Sequence, residues 1–477
     1  MKKCLLIQIC SIFFSIIIGL IILFFNINFS LVENNKLFID KIYIIILYFI
    51  NIIIILYKNK IKNRQFTIIL AFNLAFGLFL ISNIILDLLN INLFGKTFFF
   101  TQYEFNLDIK LKILYILEIA LIGINLGDFL FDVYSLKKKL NLKEINVKKS
   151  NCFEYFGTII FFTSYIATLY KIIVTSKFSI NNGYLALYAS KGMLTFNPII
   201  NLLDTFTYIG LALILTFSNK YKKIYLVSSM YIATLLIELI SGARAEVFTE
   251  LLILLVFFSI KLKNKLKLKY IVVIMLILIF VGQGISYSRT NREVEGLNAV
   301  DKISDFFEEQ GNSYTVLGYT IEHENSFSKE YKKICVFKPI INTIKYNILK
   351  FPINIGNNFE TANEFSTLTY KLSYIVNENL YYKGYGIGNS FVAEVWLGYG
   401  LFGVFIACLI LSTFIKWLDY NSEKKFLIMY LMIIIGPKIL LMPRGGYFDF
   451  VPYLIRPILI YFLIYILYKI KFNKEVN

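Results

Sequence analysis

Ile42-Tyr43-Ile44-Ile45-Ile46-Leu47-Tyr48-Phe49-Ile50-Asn51-Ile52-Ile53-Ile54-Ile55-Leu56-Tyr57 is a nearly unbroken apolar run, and Lys58-Asn59-Lys60-Ile61-Lys62-Asn63-Arg64 closes it with a cluster of cations. Such a run suits a bilayer-crossing helix. About 20 apolar residues span the hydrocarbon core, and a helix satisfies its own backbone hydrogen bonds in lipid. The cations mark the side on which it ends, because Lys and Arg concentrate in cytoplasmic loops.

The same arrangement recurs along the chain. Further apolar runs lie near Leu5–Phe25, Phe66–Leu89, Ile109–Leu130, Phe153–Thr175, Pro198–Phe217, Ile224–Ile240, Val247–Ile260, Leu268–Ser286, Phe391–Ile415, Phe426–Met442 and Phe450–Tyr468. Every second connection is rich in lysine: Lys2 and Lys3, the 58–64 cluster, Lys137 to Lys149, Lys220 to Lys223, Lys261 to Lys269, Lys416 to Lys425, and Lys469 to Lys474. The connections between them carry few cations. The sequence therefore predicts an all-α polytopic integral membrane helical bundle of about 12 transmembrane helices, N-in/C-in. Residues 1–286 would hold transmembrane helices 1–9. Residues 287–390 would form one large outer loop, periplasmic or extracellular, carrying short helices. Residues 391–477 would hold helices 10–12 and a short cytoplasmic tail.

Composition agrees. The 477 residues are 57% hydrophobic, and the mean hydropathy is +0.66, well above a soluble domain. The net charge of +18 is dispersed over the lysine-rich connections as a topology signal, so nucleic acid is not an expected partner. Met1-Lys2-Lys3 precedes an apolar run longer than a signal-peptide core, with no small-residue cleavage pattern after Asn26; it reads as an uncleaved first span. Of the 5 cysteines, only Cys335 falls in the large loop, which excludes an intramolecular disulfide framework there. A single His and scattered Cys offer no His/Cys metal site, and no motif supports a carboxylate-bound ion.

Within the large loop, Val300–Gln310 has amphipathic spacing, with Ile303, Phe306 and Phe307 on one face and Asp301, Asp305, Glu308 and Glu309 on the other. The loop is expected to form a small helical cap lying on the outer membrane surface. Ionisable residues crowd the outer ends of the later spans, where intramembrane charge points to function. Ser241-Gly242-Ala243-Arg244-Ala245-Glu246 is a tight turn that puts Arg244 at a helix start, with Glu246 and Glu250 sharing a face. An anion site and a plain Arg–Glu clamp are both open there. Arg289 and Arg292 leave the ninth span, as headgroup anchors or as donors to a diphosphate. Pro443-Arg444-Gly445-Gly446-Tyr447 is a third arginine turn. Asp449 and Arg456 follow on about one helix face and read as a pair, structural or functional. Arginine is otherwise scarce in this lysine-rich chain, so its concentration at one depth suggests an anionic ligand such as a lipid diphosphate.

Two stretches resemble a known family. Phe306-Phe307-Glu308-Glu309-Gln310-Gly311-Asn312-Ser313 looks like the Gln-Gly-x-Ser stretch of the O-antigen polysaccharide polymerases of the Wzy type. Gly384-Tyr385-Gly386-Ile387-Gly388-Asn389-Ser390, followed by Ala393-Glu394 and Gly398-Tyr399-Gly400-Leu401-Phe402-Gly403, looks like their glycine-rich approach to a late span. The Gly242-x-Arg244 turn is similar too. The resemblance implies a glycosyltransferase-type polymerase in the inner (plasma) membrane. It would extend polysaccharide at the outer leaflet from undecaprenyl-diphosphate-linked oligosaccharide repeat units, with no metal or cofactor. A chain-length regulator and a flippase would be its partners. Fixed cations should meet the departing diphosphate, and a base should assist the sugar hydroxyl. Arg244, Arg289, Arg292 and Arg444 are the expected diphosphate ligands. Glu394 is the first choice for base, with Glu246 and His323 behind it; His323, in Glu322-His323-Glu324, also fits a solvated loop residue. Gln310, Ser313, Gly386 and Gly388 serve sugar binding or loop shape. A ligase of similar build and a flippase or exporter of lipid-linked sugar remain the alternatives. The exporter is disfavoured because the polar mass lies in one outer loop.

Overall fold

The computed structural model describes residues 33–61, 64, 66–89, 104–137, 147–187, 194–262, 299–349, 356–365 and 367–474. Every regular element among them is helical. The order is α1 (Glu33–Ile61), α2 (Ile68–Leu88), α3 (Leu107–Lys137), α4 (Val147–Asn182), α5 (Pro198–Phe217), α6 (Tyr221–Ser241) and α7 (Arg244–Leu262). The large loop supplies α8 (Ala299–Gln310), α9 (Ser313–Glu322), α10 (Lys329–Ile334), α11 (Lys338–Asn342), α12 (Leu368–Val376) and α13 (Glu378–Tyr382). Then come α14 (Phe391–Ser422), α15 (Phe426–Leu441) and α16 (Ile455–Lys474). Among the described residues, 9 helices are long and apolar enough to cross a membrane. α7 covers the expected span Val247–Ile260 but carries Glu246, Glu250 and Lys261. The expected spans Leu5–Phe25 and Leu268–Ser286 lie outside the described residues.

In lipid, helices associate through close packing and small residues rather than through a hydrophobic drive. α3 and α14 show this. A Cβ at Gly123 would stand 2.8 Å from the Phe405 carbonyl oxygen, and one at Gly127 would stand 2.4 Å from that of Leu409. Bare glycine lets the two backbones approach, and Ser412 Oγ then donates to the Ile124 carbonyl at 2.6 Å. α2 runs through the centre, with Phe72, Phe76 and Phe79 fully buried. It loosens into one π turn at Gly77–Ile81.

At the end away from the large loop, α1, α3 and α14 share a buried ionic knot. Lys58 binds Asp128 and, at 2.7 Å, Asp132. Lys416 binds Asp128 at 2.6 Å. Arg64 joins Asp419 at 2.9 Å and also Glu423. Lys58 and Lys416 belong to the lysine pattern that marks topology, yet both are buried in helices and neutralised. Pairing offsets the cost of burying these charges.

The large loop does not simply lie on a surface. Every residue of α9 from Ser313 to Ile321 is buried, and the helix packs against α3 and α14. Tyr319 meets Phe105 edge-on, with ring centroids 5.0 Å apart. The physical reason is in its sequence: Tyr314, Val316, Leu317, Tyr319 and Ile321 leave α9 without a polar face, and a helix apolar all round is buried. α8, by contrast, has the amphipathic pattern expected of it and turns Phe306 against Phe79 and Ala245.

Candidate functional site

The approach to α14 is set by its glycines. Gly384 and Gly388 have φ of 92° and 94°, a region open to glycine but strained for other residues. Gly386 has no such requirement. The Ile387 N–H donates to Ser373 Oγ at 2.9 Å. The segment then delivers Asn389, whose Nδ2 donates to Glu394 Oε1 at 2.6 Å. Glu394, in the first turn of α14, is 0% exposed. Its Oε2 accepts the Tyr447 N–H at 3.0 Å.

That second bond ties α14 to the turn Arg444-Gly445-Gly446-Tyr447. Asp449 Oδ2 accepts the Gly446 N–H at 2.6 Å. A Cβ on Gly446 would lie 2.9 Å from Glu394 Oε1 and 2.8 Å from Asp449 Oδ1. Two carboxylates therefore close on one glycine. Burial lifts the Asp449 carboxyl above the ordinary aspartate value, against the Gly446 N–H and the Lys438 charge, which pull it down.

α8 bolts the arginine turns together. Arg444 Nη1 donates to Gln310 Oε1 at 2.9 Å, and its guanidinium lies 5.9 Å from the Phe79 ring centre, over the π turn of α2. Arg244 Nη1 pairs with Glu309 Oε2 at 2.7 Å. The Arg–Glu clamp within the 241–246 turn is thus corrected: Arg244 reaches the loop helix, and Glu246 is exposed. The Gln-Gly-x-Ser stretch gains a physical reason as well. A Cβ on Gly311 would meet Asn83 Oδ1 at 2.3 Å and Ser82 Oγ at 2.4 Å, so only glycine lets α8 turn into α9 against α2. Ser313 starts α9 and is buried.

Other expected site residues fall elsewhere. Arg289 and Arg292 lie outside the described residues. His323 closes α9 with its Nε2 3.8 Å from Glu322 Oε2. Asp449 and Arg456 do not pair. A 3-10 turn at Pro452–Leu454 interrupts the helix before α16 begins, so the shared face read from the sequence is lost; Arg456 instead donates to Thr205 Oγ1 at 3.1 Å.

Both nevertheless line a cavity of about 870 Å³ between α4, α5, α6, α7, α15 and α16. Pro339, Asn342, Thr343, Tyr346 and Ile348 of the large loop close over it. Its walls offer Tyr208, Tyr231, Tyr346 and Tyr453, hydroxyls such as Thr168, Thr205 and Thr234, and charges of both signs: Lys171, Asp204, Glu238, Glu250, Lys438, Asp449 and Arg456. Lys171 pairs with Asp204 at 2.7 Å. Tyr231 donates to Glu250 Oε2 at 2.6 Å. Glu394, Glu246 and His323 do not line this cavity.

The sequence reading missed Lys171, Asp204 and Lys438. A signal for the last was present: Gly436-Pro437-Lys438 breaks an apolar run. Pro437 has no N–H to give the Ile433 carbonyl, and Tyr208 Oη donates to that oxygen instead, at 2.7 Å. That bond ties α15 to α5 beside Lys438, which lines the cavity. A concave space of this volume lined by aromatic rings, hydroxyls and carboxylates suits a ring-shaped polar ligand.

These features define a multi-pass helical membrane protein with a charge-lined polar cavity at the end where its loop folds. Over residues 6–476 the chain matches the O-antigen polysaccharide polymerase Wzy family, and it belongs to that family. It is accordingly a membrane enzyme of the kind that polymerises oligosaccharide repeat units in O-antigen polysaccharide biosynthesis. No curated protein and no solved structure matches the chain.

Proposed function

We propose that the chain joins undecaprenyl-diphosphate-linked repeat units at the outer leaflet of the inner (plasma) membrane, and that the loop-covered cavity is where the two substrates meet. The observation that carries this reading is the cavity itself: about 870 Å³, roofed by the large loop and lined by rings, hydroxyls and charges of both signs. The transfer is metal-independent. A hydroxyl of the new unit's non-reducing sugar attacks the anomeric carbon of the growing chain. The new C–O bond forms as the bond to the diphosphate breaks, and the electron pair leaves on undecaprenyl diphosphate. The hydroxyl proton passes to a carboxylate. Asp449, on the cavity wall, takes that role; Glu394 is the positioning residue that holds its turn. Arg244 and Arg444 supply positive potential for the anionic carrier, a role the sequence assigns to Arg289 and Arg292 as well. A chain-length regulator and a flippase serve the same route as partners.

The test is the length distribution of surface glycan in a strain lacking the gene, read on a gel. A single repeat unit on the normal acceptor supports polymerase. Long chains left on the lipid carrier would mean a ligase, and units trapped on the inner leaflet would mean a flippase.

A further inference from the structure

We propose that Lys438 is the cation that receives the diphosphate of the lipid-linked donor inside the cavity, a deepening that rests on the polymerase reading. Three cations line this space: Lys171 is neutralised by Asp204 at 2.7 Å, Arg456 is exposed and donates to the neutral Thr205 hydroxyl at 3.1 Å, and the third is Lys438. Lys438 is different. Its Nζ lies 4.8 Å from the centre of the Tyr453 ring, and among the described residues no carboxylate forms an ion pair with it.

A lysine on a membrane helix without an ion-pair partner is costly, and such residues mark function by default. The surrounding fold is built to present it. Pro437 breaks the α15 ladder one residue earlier, and Tyr208 caps the carbonyl that the proline leaves without a donor. α7 presses on the same point, since a Cβ at Gly436 would stand 2.4 Å from Ile253 Cδ1. Three helices thus fix the direction in which Lys438 emerges. Asp449 lines the same space and Lys438 acts electrostatically on it, so the cation and the proposed base belong to one site. Tyr453 hydrogen-bonds the ammonium, and Glu246 and Glu250 attract it from further off, but no described carboxylate lies at ion-pair distance, which leaves its charge for an incoming dianion. Lysine suits this task as a compact point charge on a flexible stem.

The experiment uses the full chain, purified in detergent, with farnesyl diphosphate and farnesyl monophosphate as probes. Wild type should bind the diphosphate in preference to the monophosphate. Lys438→Met should weaken diphosphate binding at least tenfold and reduce that preference, while Lys438→Arg keeps most of both. Thermal unfolding of each variant shows whether it is folded, and Lys438→Gln stands in if the methionine variant is not. Equal diphosphate affinity in wild type and a folded Lys438→Met or Lys438→Gln variant would overturn the assignment and leave the polymerase reading intact. Absence of diphosphate binding by wild type would overturn both.

Discussion

Glu394 and Asp449 both close on Gly446: a Cβ there would stand 2.9 Å from one carboxylate and 2.8 Å from the other. Glu394 accepts from Asn389 on one oxygen and from the Tyr447 N–H on the other, so both of its oxygens must be acceptors. Glu394→Gln places an amide N–H against a donor. We expect it to cost about 1–3 kcal/mol, the penalty of an unsatisfied buried group, visible as a lower unfolding temperature together with shortened glycan. Unchanged stability and normal chains would remove the positioning role.

pH should act through Asp449. Its carboxyl is raised by burial, and the proposed role needs the ionised form. Polymerisation should therefore fall as pH drops, with the acid limb above the ordinary aspartate value of about 3.9. The linkage to stability has the opposite sense. A carboxyl with a raised folded pKa holds its proton more tightly when folded, so its ionised form is the less favourable one. Asp449→Asn should accordingly raise the unfolding temperature at alkaline pH, and the gain should vanish on acidification, while activity is lost throughout.

The two loop bolts should behave as pairs. Reversing the charge at Arg244 alone or at Glu309 alone should lower the unfolding temperature, and the double reversal should restore much of it. Arg444→Ala and Gln310→Ala should be non-additive, with about 1.5–3 kcal/mol shared between them, as for a hydrogen bond to a charged group. Strict additivity on a thermal-shift cycle would show that the pairs are incidental.

Tyr208→Phe removes the donor to the Ile433 carbonyl beside Pro437. The expected loss is about 1–3 kcal/mol for an unsatisfied carbonyl in the membrane interior. Pro437→Ala returns a helical N–H, so the tyrosine substitution should cost much less in that background. Equal costs in both backgrounds would break the link between the kink and the tyrosine.

Cys335 offers a check on the loop. Burial, reinforced by the Glu394 charge, pushes its thiol up to about 12, and it is 0% exposed. A maleimide should label it only after denaturation. Rapid labelling of the native protein would show that the loop does not pack on α14 as described.

The positions of the nine long apolar helices among the described residues were legible in the sequence because a bilayer imposes length and apolarity directly, and α8 was legible because its two faces differ. α9 was harder to place: its apolar character is plain, but a short apolar helix in a polar loop does not say what it packs against. The site split the same way. Glu394, Arg244, Arg444 and Gln310 stand in short, unusual strings, and the fold gathers them with Asp449 at the loop end. Lys171, Asp204 and Lys438 sit singly in different helices, and only tertiary packing brings them to one wall. Asp449 and Arg456 fit one helix face on paper, and the turn at Pro452–Leu454 separates them.

The ionic knot of Asp128, Lys58 and Lys416 also sets an order of assembly. Lys416 lies near the end of the chain, whereas Lys58 and Asp128 are synthesised early. During synthesis Asp128 and Asp132 can meet Lys58 early, whereas Lys416 reaches Asp128 only when α14 has been made. Arrival of α14 adds Lys416 to the knot and, through the close approach at Gly123 and Gly127, locks α14 against α3. A chain truncated before Lys416 should insert its early helices yet remain a substrate for membrane quality control, with maturation reached only once the final third has been made.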